Sequence, residues 1–431
     1  MTRPAGPLTV GLLTQWYDPE PGPASIPGVL ARGLVARGHT VKVVTGYPNY
    51  PTGTIYPGFD ARGTTTLDVD GVSVRRVPLY ASHDASALRR LANYLSFSVS
   101  AIVFGLRHLR DCDVVWVYNS PPTIGMPMAV LRLLLRKRLV LHVMDLWPDS
   151  LFASGFAPEG GLSGLAMRAV TAWCRMMYSL SDAVAYISPS VGAVLRDRGV
   201  PARRLTFAPV WTDETVFRPL PRIDRETLQV PDGHLVVLYA GAIGAPQGLT
   251  TLVNAMVTVR NLPITCLLAG DGTDVPNLER IIADEGLENV RLLGRVPKSE
   301  ISDLMAFGDV HVISLRQTPL GDVSLPSKLQ ATMASARPVL AIASGDLADV
   351  VRRSEGGFVT PPDDVARLAA LLADIAAMPR EGLAAKGQKA RDYYDLEYSS
   401  AAGIDRVESL LHHTHASRTP QRTRRDTHHS S

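Results

Sequence analysis

The sequence predicts an α/β protein made of two doubly wound domains, each with a mostly parallel sheet. Short β-branched apolar segments alternate with helical stretches in two successive series, which is the pattern of buried parallel strands. A stretch rich in proline and charge separates the two series. The chain of 431 residues is also longer than one core usually supports.

Each series contributes five predicted strands. Those of the first series lie at 8–15, 40–46, 113–118, 139–145 and 183–188, and those of the second at 235–243, 264–270, 290–296, 310–315 and 339–344. Ligands of open α/β sheets bind beyond the carboxyl ends of the strands. If two such domains face each other, we therefore expect one cleft between them, to which both contribute.

The predicted domain boundaries follow the same pattern. We expect a first domain at 1–212, a linker at 213–233, a second domain at 234–395, a helix at 396–412 that crosses back to the first domain, and a disordered tail at 413–431. Histidines near this tail suggest metal binding, but a disordered segment cannot orient ligands, so we expect no metal.

Composition narrows the class of protein. Hydrophobic residues make up 46% and charged residues 20%, as in globular proteins. The three cysteines are far apart, which argues against a disulfide framework or a zinc site. The N-terminus lacks the pattern of a secretory signal, so we expect a cytoplasmic protein. The formal charge of +3 gives no reason to expect a nucleic-acid partner.

A glycine-rich turn follows the first strand of the second series, in Tyr239-Ala-Gly-Ala-Ile-Gly-Ala-Pro-Gln-Gly-Leu249. Backbone N–H groups of such a turn favour a phosphate at the start of the next helix. The alternative is a tight turn without a ligand. Glycine-rich exits at 268–272 and 293–296 repeat the pattern on the same side of the predicted sheet.

Several sequence motifs carry a resemblance to a known family. They are Tyr17-Asp-Pro-Glu-Pro21, Asn93-Tyr-Leu-Ser-Phe97, Ser120-Pro-Pro122, Asp145-Leu-Trp-Pro-Asp-Ser150, Gly244-Ala-Pro-Gln-Gly248 and Pro326-Ser-Lys-Leu-Gln330. In this order they resemble the retaining GT-B glycosyltransferases of family 4, and more narrowly the bacterial branch that transfers L-fucosamine and colanic-acid sugars. The resemblance runs from Leu8 to about Ser409.

This resemblance implies a GT-B fold, with two Rossmann-like domains facing across a cleft. It also implies a nucleotide-sugar donor, usually UDP-linked, that is held by the second domain. The implied reaction retains the anomeric configuration and needs no metal or cofactor. The acceptor is expected to be a saccharide linked to polyprenyl diphosphate or a small molecule.

The donor residues are carried over position by position. The turn with Gly241, Ala242, Gln247 and Gly248 would face the diphosphate, and Gly294, Arg295 and Val296 would lie against the base. Lys328, Leu329 and Gln330 would complete the site, with Gln330 at the ribose, where an amide can both donate and accept. Asp322 would lie near the donor sugar.

This sequence departs from the family pattern at several of these positions. The family has two glutamates eight positions apart where this chain has Asp322 and Gln330, and Ala336 replaces a usual glycine. Ala242 and Gln247 stand where many relatives have an arginine and a lysine. We expect Lys328 and Arg295 to supply the missing positive charge. The alternatives are a solvated lysine and a surface arginine.

In the first domain, Asp145 follows a buried strand and is the main catalytic candidate. The resemblance also offers His142, for which a satisfied core histidine is an equal alternative. Glu20 and Gly22 match a loop on the acceptor side, although the flanking prolines stiffen it.

Two basic apolar segments, 88–110 and 131–138, predict peripheral contact with an anionic membrane. The first segment is too short and too rich in serine to span a bilayer. Core helices with solvated ends are the alternative. Membrane contact would place the protein at the inner face of the cell membrane.

The leading hypothesis is a transferase of a UDP-linked N-acetylhexosamine or deoxy-amino sugar, for envelope polysaccharides or glycosylated natural products. The altered acids and missing turn cations leave open a non-catalytic subunit that binds a sugar nucleotide. An epimerase would need a carboxylate set that the sequence does not show. A nicotinamide oxidoreductase lacks its glycine motif after the first strand.

Overall fold

The computed structural model describes residues 6–82, 86–150, 161–221 and 228–417. Two parallel-sheet domains are present, with eight strands in the first sheet and six in the second. Part of the predicted linker, 222–227, and the end of the predicted tail, 418–431, lie outside the described residues.

The first sheet has the order β3-β4-β2-β1-β5-β6-β7-β8, and only the β3–β4 pair is antiparallel. Its strands are β1 (Thr9–Leu13), β2 (Thr40–Gly46), β3 (Thr65–Val69), β4 (Val72–Val77), β5 (Val114–Asn119), β6 (Leu139–Val143), β7 (Ala183–Tyr186) and β8 (Leu205–Phe207). The central strands β5 and β6 are buried throughout, which explains their continuous apolar runs.

Three strands of this sheet were not predicted. β3 is exposed along its whole length and so lacks an apolar pattern. It joins β4 through Asp70 and Gly71, both with positive φ, which is the turn that an Asp-Gly pair favours between antiparallel strands. This pair was the available signal for the hairpin. β8 has only three residues, all half-buried.

The second sheet is entirely parallel, in the order β11-β10-β9-β12-β13-β14. Its strands are β9 (Leu235–Ala240), β10 (Ile264–Ala269), β11 (Val290–Gly294), β12 (Val310–Ser314), β13 (Val339–Ile342) and β14 (Gly357–Thr360). The short edge strand β14, which begins with glycine, was not predicted.

Helices cover both sheets. Those of the first half are α1 (Ile26–Ala36), α2 (Ala87–Ser100), α3 (Gly125–Leu133), α4 (Gly161–Leu180) and α5 (Val191–Asp197). Those that follow are α6 (Thr250–Thr258), α7 (Val275–Asp284), α8 (Ile301–Phe307), α9 (Pro319–Asp322), α10 (Ser327–Ala334), α11 (Gly345–Ser354), α12 (Val365–Ala376), α13 (Arg380–Glu397) and α14 (Ser400–Ala416). No helix among the described residues is long and apolar enough to cross a membrane.

The final helix, α14, returns to the first domain and packs its apolar side on that core through Ile404, Val407, Leu410 and Leu411. It extends to Ala416, so the prediction that disorder begins at 413 is wrong for 413–416. The apolar spacing of these leucines anchors the helix, and the histidines that follow simply continue it.

The helix also orients one of the histidines that suggested metal binding. His412 lies with His39 and Glu408 in a group whose ligand atoms are within 4.8 Å of one another. The Leu8 N–H donates to Nδ1 of His39 at 3.0 Å, so neutral His39 carries its proton on Nε2 and donates to Glu408 at 2.9 Å. A metal would need that nitrogen deprotonated, so the group fits an internal hydrogen bond better than a metal centre.

Candidate active site

The two domains enclose a cavity of about 890 Å³ at the carboxyl ends of their strands. Its first wall includes the segments that follow β1, β5 and β6, and its second wall includes β9, β12 and the start of α10. This is where open α/β sheets bind ligands.

Asp145 follows β6 and lines the first wall. Ser120, which follows the neighbouring strand β5, donates to its carboxylate at 3.2 Å. Burial raises the pKa of Asp145 to about 6, and the Ser120 hydrogen bond opposes this shift. The group is therefore a carboxylate at neutral pH and can accept a hydrogen bond from a hydroxyl.

His142 lies in the core of the first domain and is not among the residues that line the cavity. Its Nε2 is 2.8 Å from the carbonyl oxygen of Ala208, and its ring packs edge-on against Trp116. Burial lowers its pKa to about 4, so it is neutral at physiological pH. The structure thus favours the core-histidine alternative. Successive side chains of a strand point to opposite faces of the sheet, and that of His142 points into the core of the first domain.

Glu20 is also buried and does not line the cavity. Its carboxylate accepts backbone N–H groups from Tyr17 at 3.0 Å and from Asn49 and Tyr50 at 2.8 Å each. Both carboxylate oxygens of Glu20 therefore bind backbone N–H groups and join two loops. The side chain is not placed to contact an acceptor substrate in the cavity. Gly22, with a φ of 67°, does line the cavity.

The glycine-rich turn begins with Gly241, which has a φ of 144°. A Cβ at this position would lie 2.2 Å from Cε of Lys328, so the absence of a side chain makes room for that lysine. Ala242 accepts a hydrogen bond from the Tyr239 hydroxyl through its carbonyl oxygen. The carbonyl oxygen of the Gln247 side chain accepts from the Gly244 N–H at 3.1 Å, so this side chain closes the turn.

Lys328 is half-buried at the start of α10 and lines the second wall. Its Nζ donates to the Tyr239 hydroxyl and lies 4.2 Å from the centre of that ring. Burial lowers its pKa to about 8. Within the described part of the chain no carboxylate pairs with it, so the cation faces the cavity without a counter-ion.

Gln330 follows on the same helix and lines the same wall. It is buried, and its Oε1 has no hydrogen-bond partner among the described residues. An unpaired buried acceptor of this kind is costly unless a ligand donates to it. Leu329 between them turns into the core, and its N–H donates to the Pro326 carbonyl oxygen at 2.9 Å, which removes it from the donor site.

Asp322 ends α9 and is not among the residues that line the cavity. Its carboxylate accepts from the Ser344 hydroxyl at 2.5 Å, at the start of α11. Asp322, which stands where the family has a glutamate, therefore contacts another segment of the second domain and does not face the cavity. Ala336, which stands where the family resemblance implies a glycine, has a φ of 53°, a conformation that glycine adopts most readily.

Of the two residues that follow β11, Arg295 is exposed to solvent and Val296 lines the cavity. Arg295 is exposed and pairs with Asp271 at 2.9 Å, so its charge is already balanced. The carbonyl oxygen of Gly294 accepts from the Gly270 N–H at 2.7 Å, and Val296 lines the cavity.

Arg316 was missed by the sequence interpretation. It follows β12, its N–H donates to the Pro246 carbonyl oxygen at 2.9 Å, and its Cγ lies 2.8 Å from the position of a Cβ built on Gly248. The side chain is exposed and has no ion-pair partner among the described residues. No motif signals it, because the strand order alone brings the end of β12 beside the turn after β9.

The comparisons agree with this architecture. The model of a glycosyl transferase 4-like domain matches residues 22–211, and that of glycosyl transferases group 1 matches residues 234–377. A putative colanic acid biosynthesis glycosyl transferase, WcaI of Escherichia coli, is 30% identical over 320 residues, which is 73% of this chain and 78% of that protein. A probable glycosyltransferase of Pseudomonas aeruginosa, WbjE, is 25% identical over 75% of this chain and 81% of its own.

Solved structures share the fold. Sucrose-phosphate synthase of Thermosynechococcus elongatus has a TM-score of 0.71 at 18% identity and covers 94% of this chain and 98% of its own. HepE of Anabaena in complex with UDP-glucose has a TM-score of 0.63 at 17% identity, with 94% and 99% covered. The chain therefore belongs to the family-4 glycosyltransferases of GT-B fold, of the colanic-acid type.

Proposed function

We propose that this glycosyltransferase takes a sugar from a UDP-sugar, with retention of configuration and without a metal. The observation that carries the proposal is the second wall, where the cation of Lys328 and the orphaned Oε1 of Gln330 face one cavity. A diphosphate supplies the charge that Lys328 lacks, and a ribose hydroxyl supplies the donor that Gln330 lacks.

The remaining parts of the UDP-sugar would also lie along the second wall. Arg316 lies beside the turn at Gly248 and can reach a diphosphate there, together with the backbone of the turn. These cations take the place of those absent at Ala242 and Gln247, so no metal is needed to neutralise the leaving group. The backbone of 294–296 offers a surface for the base.

The proposed transfer uses the opposite wall for the acceptor. The bond from the anomeric carbon to the UDP oxygen breaks, and the acceptor oxygen attacks the same face of the sugar. The hydroxyl proton passes to a phosphate oxygen of the leaving UDP. Asp145 would accept a hydrogen bond from that hydroxyl and hold it in place, which requires the carboxylate form.

We also propose that the protein docks on an anionic membrane through 88–110 and 131–138. Exposed apolar side chains follow one another along this surface, namely Leu88, Leu91, Leu95, Val99, Val103, Leu133 and Leu134. α2, α3 and α4 are neighbours, and segments 87–110, 125–138 and 161–180 carry ten lysines or arginines and no aspartate or glutamate. This composition suits anionic headgroups, and docking there would put the enzyme at the inner face of the cell membrane.

The proposed acceptor is a lipid-linked saccharide of an envelope polysaccharide, since the similar protein WcaI is a putative colanic acid biosynthesis glycosyl transferase. A soluble hydroxyl acceptor is a second candidate, since an α-D-kanosaminyltransferase of Streptomyces kanamyceticus is 29% identical over 134 residues. That match covers only 30% of this chain.

A non-catalytic subunit that binds a sugar nucleotide is the competing proposal. The contact of Asp322 with Ser344 favours it, because it leaves the cavity without the usual acid near the donor sugar. The two proposals differ in whether UDP is released from a UDP-sugar.

Thermal unfolding with UDP, GDP, ADP and NADH tests the donor. At a hundred times the dissociation constant, a ligand stabilises the folded state by about 2.7 kcal/mol, which corresponds to a shift of several degrees. We expect UDP alone to produce this shift, followed by UDP release from at least one UDP-sugar. A shift with UDP but no UDP release from any UDP-sugar, with lipid extracts as acceptors, would favour the non-catalytic subunit.

A further inference from the structure

The two walls of the cavity differ in charge. On the first domain, Asp145 is the one charged side chain among the described residues up to Thr212 that line the cavity. Residues 151–160, which lie outside the described part, contain no lysine or arginine. Lys328 lines the second wall, and Arg316 lies beside Gly248 of the same domain. Among the described residues that line the cavity, the one lysine or arginine thus lies on the proposed donor side.

The first wall is also aromatic. Trp16 and Tyr50 line the cavity, with ring centres 5.8 Å apart and planes tilted by 53°. Tyr94 of α2 packs edge-on behind Trp16, with ring centres 6.3 Å apart, and holds the indole in position. Asp145 lines the same cavity as Trp16 and Tyr50.

This combination selects one kind of acceptor group. The C–H bonds on one face of a pyranose ring are slightly positive and pack well on the negative face of an aromatic ring. A carboxylate beside that platform accepts from a sugar hydroxyl. The same carboxylate repels a phosphate, and no lysine or arginine is among the described residues of the first domain that line the cavity.

We propose that this wall is the acceptor subsite, and that it holds an uncharged saccharide ring stacked on Trp16 and Tyr50 with the reacting hydroxyl at Asp145. The inference rests on the proposed transferase function and deepens it. It places the enzyme at a step that lengthens an existing saccharide. A separate reaction that forms the first saccharide must precede it.

Saturation-transfer NMR on the full chain tests the subsite, with and without UDP. The probes are uncharged methyl glycosides of glucose, galactose, N-acetylglucosamine, fucose and rhamnose, set against glucose 1-phosphate and farnesyl phosphate. Trp16→Leu removes the platform. Tyr80→Leu is the matched control, because Tyr80 is a half-exposed aromatic residue outside the cavity.

We expect at least one methyl glycoside to bind and both phosphates to fail. Trp16→Leu should weaken that glycoside about five- to tenfold, while Tyr80→Leu has no effect. UDP affinity should be the same in all three proteins, which also shows that they are folded. Binding of a phosphate probe, failure of every glycoside, or unchanged affinity in Trp16→Leu would overturn the subsite. Failure of UDP to bind the wild type would instead overturn the proposed donor.

Discussion

Asp145 and Lys328 both have pKa values displaced toward neutrality, and for the same reason. Burial raises the pKa of the carboxyl to about 6 and lowers that of the ammonium to about 8. Neither group pairs with an opposite charge among the described residues. Such displacements are typical of sites whose charge balance is completed by a ligand.

Asp145→Asn should lower kcat/KM about 100-fold while the dissociation constant of UDP stays unchanged, because the amide cannot hold the hydroxyl as the carboxylate does. In the wild type the active form is the carboxylate. The rate should therefore fall as the pH drops through about 6. The measurements are a pH profile of UDP release and calorimetry with UDP. A variant that turns over like the wild type would remove Asp145 from the mechanism.

The motif places Lys328 and Gln330 at a helix start, and both line the cavity. Sequence reasoning could not exclude Leu329, since a motif does not tell which side of a helix faces the core. It also misjudged Glu20, whose hydrogen bonds come from a loop 30 residues away. Arg316 could be recognised as a candidate only from the strand order, which brings the end of β12 beside the turn after β9.

At the scale of single elements, the first turn of the second domain depends on Gly241. Gly241→Ala should destabilise the protein by about 1–3 kcal/mol, because φ is 144° there. It should also weaken UDP binding, since the new Cβ displaces Lys328. Gly63→Ala is the control, because its Cβ would meet open space. Equal denaturation midpoints and UDP affinities for the two variants would argue against this role.

The α2 surface gives a second prediction at this scale. Leu91→Glu with Val99→Glu should abolish flotation with vesicles that contain anionic lipid, because each change places a carboxylate in an apolar stripe. Leu396→Glu, on an exposed site of α13, should float like the wild type. Flotation of the double variant would show that α2 is not the docking element.

At the scale of the whole molecule, one carboxylate joins the two domains beside the cavity. Asp346 of α11 accepts from the Ser188 hydroxyl at 2.5 Å, and from the N–H and hydroxyl of Ser190 at 2.8 and 2.6 Å. Glu214 joins the linker to Tyr394 at 2.8 Å and to Ser400 at 2.7 Å. The contacts of Asp346 link the two domains directly, and those of Glu214 link the linker to the last two helices.

Asp346→Ala should open the cleft, because three hydrogen bonds to a buried carboxylate are lost, at a cost of roughly 3 kcal/mol or more. The radius of gyration from small-angle scattering should rise and kcat should fall, while UDP affinity changes little. Asp349→Ala is the control, since Asp349 is exposed and pairs with Arg352 of the same helix. An unchanged scattering profile for Asp346→Ala would mean that other contacts close the cleft.

The two-domain architecture was predictable because buried parallel strands leave continuous apolar runs such as that of β5. The hairpin β3–β4 was not, since an exposed strand leaves no such run. The relative placement of the walls depends on contacts between distant positions, such as Asp346 with Ser188, and no local pattern encodes them.

Calorimetric titration with UDP and with uridine tests the central claim, which is that Lys328 and Arg316 hold the donor diphosphate. At pH 7 the wild type should bind UDP at least about tenfold more tightly than uridine, as a charge-assisted contact predicts. This preference should shrink in Lys328→Met, in Arg316→Met, and in the wild type at pH 9.5, where Lys328 has lost its proton. Equal affinity of the wild type for UDP and uridine, or an undiminished preference in both variants, would contradict the claim.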